Sequence, residues 1–362
     1  MKKIICYIDI MANTGGAQRV MKNLVTYLSK KDYSVILVND FDVGEKNSFD
    51  IPDEVERVYL RKNNLGNPIV KNIERIVTLR KLIKKEKPDI ILSFLGAPNI
   101  RSVLATVGIG VKRIISVRNT PEYEYGKSII SKLAVNLLFR QVDGCVFQTD
   151  DAKSYFNKKL QYKSKVILNP VDKSFFNIKR IEDCKGIVTI GRLESQKNHK
   201  LLIQAYSNLL KRDNEIDDLY IYGDGSLRED LEKFIYNNEL QNKVHLLGKI
   251  SNVAEILSKS KLFILSSDFE GLPNVLMEAM ACGTPVISTD CPCGGPKMLI
   301  ENTNQGILVK CNDITGLENA IKSIIYDNTV LKRMSSGARE RAKSFESSKI
   351  FREWEVYLNL IG

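Results

Sequence analysis

The chain has 362 residues, which at roughly 150 residues per domain is room for about two domains, with cores large enough to need no disulfide or metal staple. Hydrophobic residues make up 43% and charged residues 27%, which excludes collagen, a long coiled coil and wholesale disorder. Lysine and arginine (54) exceed aspartate and glutamate (43) by 11, a surplus that suggests an anionic partner.

The predicted elements alternate along the chain. A strand at 4–8 precedes a helix on Val20, Leu24 and Leu28, which repeat every four residues. Next come a strand at 34–38, a basic amphipathic helix at 69–87, strands at 89–95 and 113–117, a helix at 127–140, a strand at 144–147, a helix at 151–160 and a strand at 165–168. Asn169-Pro170 breaks the pattern, which restarts with a strand at 186–190. Helices at 200–211, 227–236, 253–260 and 274–281 then alternate with strands at 219–222, 244–247, 262–265 and 285–288. A strand at 307–309 and helices near 315–326, 330–343 and 347–360 complete the chain. Two runs of alternation predict two α/β domains with doubly wound parallel sheets, joined near residues 169–180. The charge divides there. Residues 1–170 hold 29 basic and 17 acidic side chains, a net of +12; residues 171–362 hold 25 and 26, a net of −1.

Seven cysteines, an odd number without a C-x-x-C pair, sit mostly in apolar runs and read as free thiols inside the cell. The only histidines, His199 and His245, lack partners at zinc-site spacing. The apolar run after Lys2-Lys3 contains Asp9 and ends at Asn13, too short for a signal peptide. No apolar run reaches the length that spans a bilayer.

Parallel sheets bind ligands at the carboxyl ends of their strands, so chemistry is sought in the loops that follow strands. Thr14-Gly15-Gly16-Ala17-Gln18-Arg19 follows the first strand and opens a helix. Paired glycines there allow close backbone approach to an anion, or make a plain tight turn. Asp40 stands where a ribose-binding acid could sit, but the G-x-G-x-x-G fingerprint is absent. Gly191-Arg192-Leu193-Glu194-Ser195-Gln196-Lys197-Asn198 carries two cations five residues apart, suited to clamp a diphosphate or simply to face solvent.

The most specific stretch runs from Ser266 through Glu270-Gly271-Leu272-Pro273 to Glu278 and Ala281. Pro273 suits the first helical position, so amides around Asn274, Val275 and Leu276 would form an anion site. Glu270 and Glu278 would flank it and hold hydroxyls on either side. The alternative is that Glu270 caps the helix and Glu278 is solvated. Asp40-Phe41-Asp42 matches the short D-x-D metal signature, at chance level. Gly223-Asp224-Gly225 reads as a turn, His245 as a core residue, and His199 as close enough to reach the clamp. With no histidine before position 199, the first domain offers no imidazole base.

Together these motifs resemble the family 4 glycosyltransferases, the large retaining group with the GT-B fold. The resemblance runs nearly end to end. It rests on Gly15-Gly16-Ala17-Gln18-Arg19, Asn169-Pro170-Val171-Asp172, Gly191-Arg192-Leu193 with Lys197-Asn198, and Gly223-Asp224-Gly225 with Leu227-Arg228. It continues through Glu270-x7-Glu278 with Gly271-Leu272-Pro273-Asn274, and Gly283-Thr284-Pro285-Val286-Ile287. The resemblance implies two Rossmann-like domains facing across a cleft: an acceptor domain at 1–170, a nucleotide-sugar domain at 171–345, and a helix at 346–362 returning to the first. It implies that Arg192 and Lys197 neutralise the donor diphosphate in place of a metal, with no cofactor. Gly271, Pro273, Asn274, Val275 and Leu276 would surround the phosphates, Glu278 would take the ribose, and Glu270 the donor sugar. Gly15 and Gly16 would approach the phosphate, and Lys249 and Ile250 would line the nucleobase. The leaving phosphate would itself accept the acceptor's proton.

One departure stands out. Many members carry a histidine in the loop where this chain reads Ser116-Val117-Arg118-Asn119-Thr120-Pro121; Arg118 and Asn119 become the candidate sugar or acceptor contacts. The expected protein is a cytoplasmic transferase, peripheral on the inner face of the cell membrane. It would use a UDP-sugar and a lipid-diphosphate-linked saccharide in capsule, exopolysaccharide or O-antigen synthesis. The basic first domain, with helix 69–87 as the surface, would meet the anionic membrane. The rivals are a nucleotide-sugar epimerase on the same fold, a non-catalytic partner subunit, and a nucleic-acid binder, which lacks any recognised module.

Overall fold

Runs rich in Ile, Val and Leu build two separate parallel sheets in the computed structural model, which describes residues 1–13 and 15–362. Thr14, which opens the first glycine motif, lies outside the described residues. The chain divides into two units, Met1–Pro170 with Ser348–Gly362, and Val171–Ser347.

The first unit runs β1 (Lys2–Tyr7), α1 (Gly16–Ser29), β2 (Tyr33–Asn39), β3 (Glu56–Tyr59), α2 (Pro68–Glu86), β4 (Ile90–Phe94), α3 (Gly96–Ala105), β5 (Lys112–Ser116), α4 (Pro121–Tyr125), α5 (Ile129–Leu138), β6 (Gly144–Phe147), α6 (Asp150–Ser154), α7 (Lys158–Tyr162) and β7 (Ser164–Val166). Its strands lie in the order β3-β2-β1-β4-β5-β6-β7, all parallel. Ile5, Tyr7, Ile36, Val38 and Ile91 pack against Leu79 and Ile83 of α2 and Ala105 of α3. Central strands β4 and β6 are buried at every position, as parallel strands covered on both faces must be. The sequence pattern misses β3, a short edge strand with two charged residues, and α3, whose Gly-Ala-Pro start hides a helix because proline is tolerated only in a first turn. The predicted helix at 151–160 is two helices, the second capped by Asn157 accepting from the Leu160 amide.

Asp40, at the end of β2, is buried. Its carboxylate takes Arg101 Nη1 at 2.7 Å, Arg75 Nε at 3.3 Å and the Tyr7 hydroxyl at 2.7 Å. The D-x-D and ribose readings of Asp40 therefore fail, because two guanidiniums already hold it. The same cluster corrects the expected basic face of α2: Arg75 and Ile83 point inward, and Arg80 donates to the Ala105 and Val107 carbonyls. The exposed apolar residues of α2 are Ile69, Val70, Ile73 and Val77.

The second unit runs α8 (Lys173–Asn177), β8 (Ile187–Ile190), α9 (His199–Leu210), β9 (Leu219–Tyr222), α10 (Arg228–Asn237), β10 (Val244–Gly248), α11 (Val253–Lys259), β11 (Leu262–Leu265), α12 (Asn274–Ala281), β12 (Val286–Thr289), α13 (Gly295–Leu299), β13 (Ile307–Val309), α14 (Ile314–Ile325) and α15 (Asn328–Ala342). The strand order is β10-β9-β8-β11-β12-β13. Leu202, Tyr206, Leu209, Ile221, Ile264, Leu317, Ile321 and Ile324 share its core.

The last helix, α16 (Ser347–Ile361), packs on the first unit. Trp354 is fully buried with its ring 5.6 Å from that of Phe94. Tyr357 Oη accepts from the Cys145 amide at 2.9 Å and donates to the Lys163 carbonyl at 2.7 Å.

Candidate active site

In each sheet the strand order reverses beside the first strand, between β1 and β4 and between β8 and β11. Such a switch point leaves a crevice at the carboxyl ends of the strands. In the second unit the two loops there are laced together. The loop after β8 makes a tight turn, Ser195–Lys197, that ends at Asn198 with φ of +43°. Asparagine tolerates that left-handed conformation. Its side chain then accepts from the Leu201 amide to start α9, while Nδ2 donates to Asp268 at 2.8 Å. The Asp268 amide donates to the Gln196 carbonyl at 2.9 Å, and Ser266 Oγ to the Lys197 carbonyl at 2.9 Å.

This lacing brings Lys197 to Glu270. Nζ donates to Oε1 of the carboxylate, which also accepts from Ser267 Oγ at 2.8 Å. The two side chains are only 14% and 10% exposed. Arg192 stands apart from that pair, exposed, with its guanidinium 3.5 Å from Gln196 Oε1. Glu278 is buried on α12, so it is not a solvated helix residue. Nor does Glu270 cap the helix: no side chain does, and Pro273 occupies the N-cap position rather than the first helical one. The Leu276 amide bonds the Pro273 carbonyl at 3.2 Å. Of the three amides expected to face an anion, that of Leu276 is already taken.

Two glycines let other segments press against these loops. Gly223 has φ of +142°, and a side chain there would start 1.8 Å from the Gly191 carbonyl oxygen. A side chain on Gly295 would start 1.8 Å from the carbonyl oxygen of Gly271, the residue after Glu270. The Gly223 amide also donates to the Gly248 carbonyl at 2.7 Å, which ties in the loop carrying exposed Lys249 and half-buried Ile250.

His199 reaches the clamp loop, whereas His245 is not the core residue expected. His199 is buried behind the loop, with Nε2 3.2 Å from the Arg192 carbonyl. A carbonyl only accepts, so Nε2 carries the proton. Burial pushes its pKa down to about 4, so it is a neutral prop for the Arg192 backbone. His245 is half-buried rather than in the core, bonded to Asp218 at 2.9 Å and stacked on Tyr220 with ring centroids 5.0 Å apart.

In the first unit, Gly15 and Gly16 open α1, whose start no side chain caps. Arg118, two residues beyond β5, is buried with its guanidinium 4.9 Å from the Phe94 ring centre, and Nη2 donates to Asn169 Oδ1. Asn119 is exposed and accepts from the Thr120 amide at 2.8 Å. Sequence reasoning missed Gln148, which directly follows β6 and donates to the same Asn169 oxygen at 2.8 Å. Its place just past a parallel strand is the signal that could have found it.

The family model described as Glycosyltransferase Family 4 matches residues 14–175, and that described as Glycosyl transferases group 1 matches residues 171–341. The GalNAc-alpha-(1->4)-GalNAc-alpha-(1->3)-diNAcBac-PP-undecaprenol alpha-1,4-N-acetyl-D-galactosaminyltransferase of Campylobacter jejuni is 30% identical over 97% of this chain and 96% of its own. The chain belongs to the family 4 glycosyltransferases. This glycosyltransferase is also 31% identical to the N-acetylgalactosamine-N,N'-diacetylbacillosaminyl-diphospho-undecaprenol 4-alpha-N-acetylgalactosaminyltransferase of the same organism, over 99% of this chain and all of the relative. It is 26% identical to the Escherichia coli UDP-Gal:alpha-D-GlcNAc-diphosphoundecaprenol alpha-1,3-galactosyltransferase, over 93% of this chain and 91% of the relative. Among solved structures the glycosyltransferase is similar to sucrose-phosphate synthase from Thermosynechococcus elongatus, with a TM-score of 0.84, 16% identity and 99% of both chains covered. Its fold is GT-B.

Proposed function

We propose that this glycosyltransferase is retaining and metal-independent, and moves a sugar from a UDP-linked donor to a lipid-diphosphate-linked saccharide in capsule, exopolysaccharide or O-antigen synthesis. The meeting of Lys197 and Glu270 at the β8/β11 switch point, beside the uncapped start of α12, carries the reading. A diphosphate arriving there competes with Glu270 for Lys197, and exposed Arg192 supplies the second cation, giving up only its 3.5 Å contact to Gln196 Oε1. The carboxylate released from Lys197 turns to the donor sugar, where it supports the positive charge of the transition state. Glu278 takes the ribose, and Lys249 and Ile250 take the base. The leaving phosphate serves as the base for the acceptor hydroxyl. The substrate classes follow the printed names of the relatives, all three with undecaprenol-diphosphate-linked acceptors and one of them also naming UDP-Gal.

No helix is long and apolar enough to cross a membrane among the described residues. We place the membrane contact on the cytoplasmic face, through the first unit, and move it from α2 to α5. Ile129, Ile130, Leu133 and Leu137 of α5 are between 61% and 80% exposed. Ile130, Leu133, Ala134 and Leu137 follow the i, i+3, i+4, i+7 spacing of one helix face. Lys127, Lys132 and Arg140 flank them, with no acidic residue between Glu124 and Asp143. An apolar stripe bordered by cations suits an anionic bilayer interface.

Purified protein incubated with UDP-sugars, lipid-linked saccharides and EDTA tests the reaction. Transfer with retained anomeric configuration, unaffected by the chelator, is expected. Sugar interconversion in a donor-only incubation would favour the epimerase reading instead. Binding of UDP-sugar without transfer to any lipid extract would favour a partner subunit.

A further inference from the structure

Lys197 Nζ and Ser267 Oγ both donate to one oxygen of Glu270, Oε1. The two donors differ in what else they do. Lys197 is the cation that an incoming diphosphate would draw off. Ser267 is fully buried, its Oγ stands 2.8 Å from Oε1, and among the described residues its hydroxyl makes no other hydrogen bond. A carboxylate only accepts, so the hydroxyl proton is committed to Glu270. The neighbouring serine is used differently: Ser266 Oγ donates to the Lys197 carbonyl at 2.9 Å and laces the two loops together.

Ser267 is itself fixed. It stands two residues past β11, and its carbonyl accepts from Thr289 Oγ1, at the end of β12, at 2.5 Å. β11 and β12 pair directly, so the hydroxyl is held by the sheet rather than by the loop that carries Glu270. On the other side Gln196 Nε2 donates to the Phe269 carbonyl at 2.9 Å and lies 3.5 Å from Glu270 Oε2. That contact holds the peptide before Glu270 and leaves the direction of the carboxylate to Ser267 once Lys197 has gone.

We propose that Ser267 is a positioning residue for transfer, keeping the Glu270 carboxylate aimed when Lys197 passes to the diphosphate. The inference rests on the transferase reading above and adds to it the group that acts through Glu270. A neutral donor suits the task. It fixes the direction of the carboxylate and leaves its negative charge, whereas a second cation would cancel the charge that the developing positive sugar needs. A hydroxyl of fixed place also requires no rearrangement as that charge develops.

Initial rates on the full chain, with UDP-Gal and UDP-GalNAc as donors and undecaprenyl-diphosphate-linked saccharides as acceptors, test the role beside calorimetric titration with UDP. Ser267→Ala should lower kcat about 10–100-fold, the range for a lost hydrogen bond to a charged group, at unchanged donor KM and UDP affinity. Ser267→Cys, a weak donor of similar shape, should restore part of that rate. In a Glu270→Ala background, Ser267→Ala should change the residual rate less than about twofold, because nothing is left to aim. Wild-type kcat in Ser267→Ala beside an impaired Glu270→Ala overturns the inference. So does an undiminished further loss in the Glu270→Ala background, which would make Ser267 part of the fold alone. If Ser267→Ala fails to fold, Ser267→Cys carries the same comparison. A crystal structure with UDP reads the point without turnover: Lys197 should turn to the phosphates while Ser267 Oγ stays about 3 Å from the Glu270 carboxylate. A carboxylate that swings away from Ser267 overturns the inference. Lys197 still on Glu270, or near-normal transfer by Glu270→Ala, refutes instead the donor reading on which it rests.

Discussion

Lys197 and Glu270, 73 positions apart in the chain, share a hydrogen-bonded ion pair between the loops that follow β8 and β11. Arg192, on the same loop as Lys197, has no such carboxylate partner among the described residues and is exposed. The two cations should therefore respond differently to removal. Arg192→Ala should lower transfer by about 10²–10³ with an unchanged melting temperature. Lys197→Met should lower transfer and also destabilise, by about 1–3 kcal/mol, because it strands a largely buried carboxylate. Adding Glu270→Gln to Lys197→Met should restore part of that stability without restoring rate, as a double-mutant cycle of melts and kinetics will report. Near-normal transfer by both Arg192→Ala and Glu270→Ala would sink the site.

Gly223 and Gly295 hold the loops at backbone distance. Alanine at either position places a methyl carbon where a carbonyl oxygen already sits. Each substitution should cost about 1–3 kcal/mol and weaken UDP binding, because Gly223→Ala must displace the loop bearing Arg192 and Gly295→Ala the loop bearing Glu270. Calorimetric titration with UDP beside a thermal melt checks this, and unaltered values in both would show that the contacts do not matter.

His199 gives the fold a pH dependence of definite sign. Its pKa falls from 6.5 to about 4 on burial. Between those values the unfolded chain binds a proton that the folded one refuses. Stability therefore rises with pH across that window, is complete above about pH 6.5, and is lost as pH falls toward 4. At about 1.4 kcal/mol per pH unit the loss is on the order of 3 kcal/mol. Melting curves of His199→Gln should decline less between pH 7 and pH 4.5 than those of the unaltered chain. Parallel declines would remove His199 as the cause.

The outward stripe of α5 predicts vesicle binding. Ile130→Glu with Leu133→Glu should abolish cosedimentation with vesicles of phosphatidylglycerol and phosphatidylethanolamine, at an unchanged melting temperature. Raising the salt should weaken binding of the unaltered chain. Binding that survives the double substitution places the contact elsewhere.

Periodicity revealed the two α/β halves because buried parallel strands are short continuous apolar runs, and these recur between helical patterns. Spacing likewise singled out Arg192, Lys197, Glu270 and Glu278. The pairing of Lys197 with Glu270 was not legible, since it depends on which strands become neighbours at the switch point. The place of Asp40 was not legible for a related reason: a D-x-D triplet looks the same whether it faces solvent or two buried guanidiniums brought from α2 and α3. In α2, charge count alone could not tell inward Arg75 from outward lysines. In α5, apolar residues at helical spacing normally signal a core face, and only the folded chain shows that this stripe points out.

The docking of α16 on the first sheet sets an order on synthesis. β1 to β7 leave the ribosome first, then the whole of the second unit, and only afterwards the helix bearing Trp354 and Tyr357. At roughly 5–20 residues per second, the nascent first sheet waits about 10–40 s for its cover, with Phe94 and Gly144 open to wrong partners. Gly144 packs so closely beneath Tyr357 and Ile361 that a side chain there would strike both, so a substitute cover must match that fit. The second unit, continuous in the chain, can close while its neighbour is still waiting. Chaperones should therefore hold the nascent first unit rather than the second, and a chain stopped before Ser347 should remain their client.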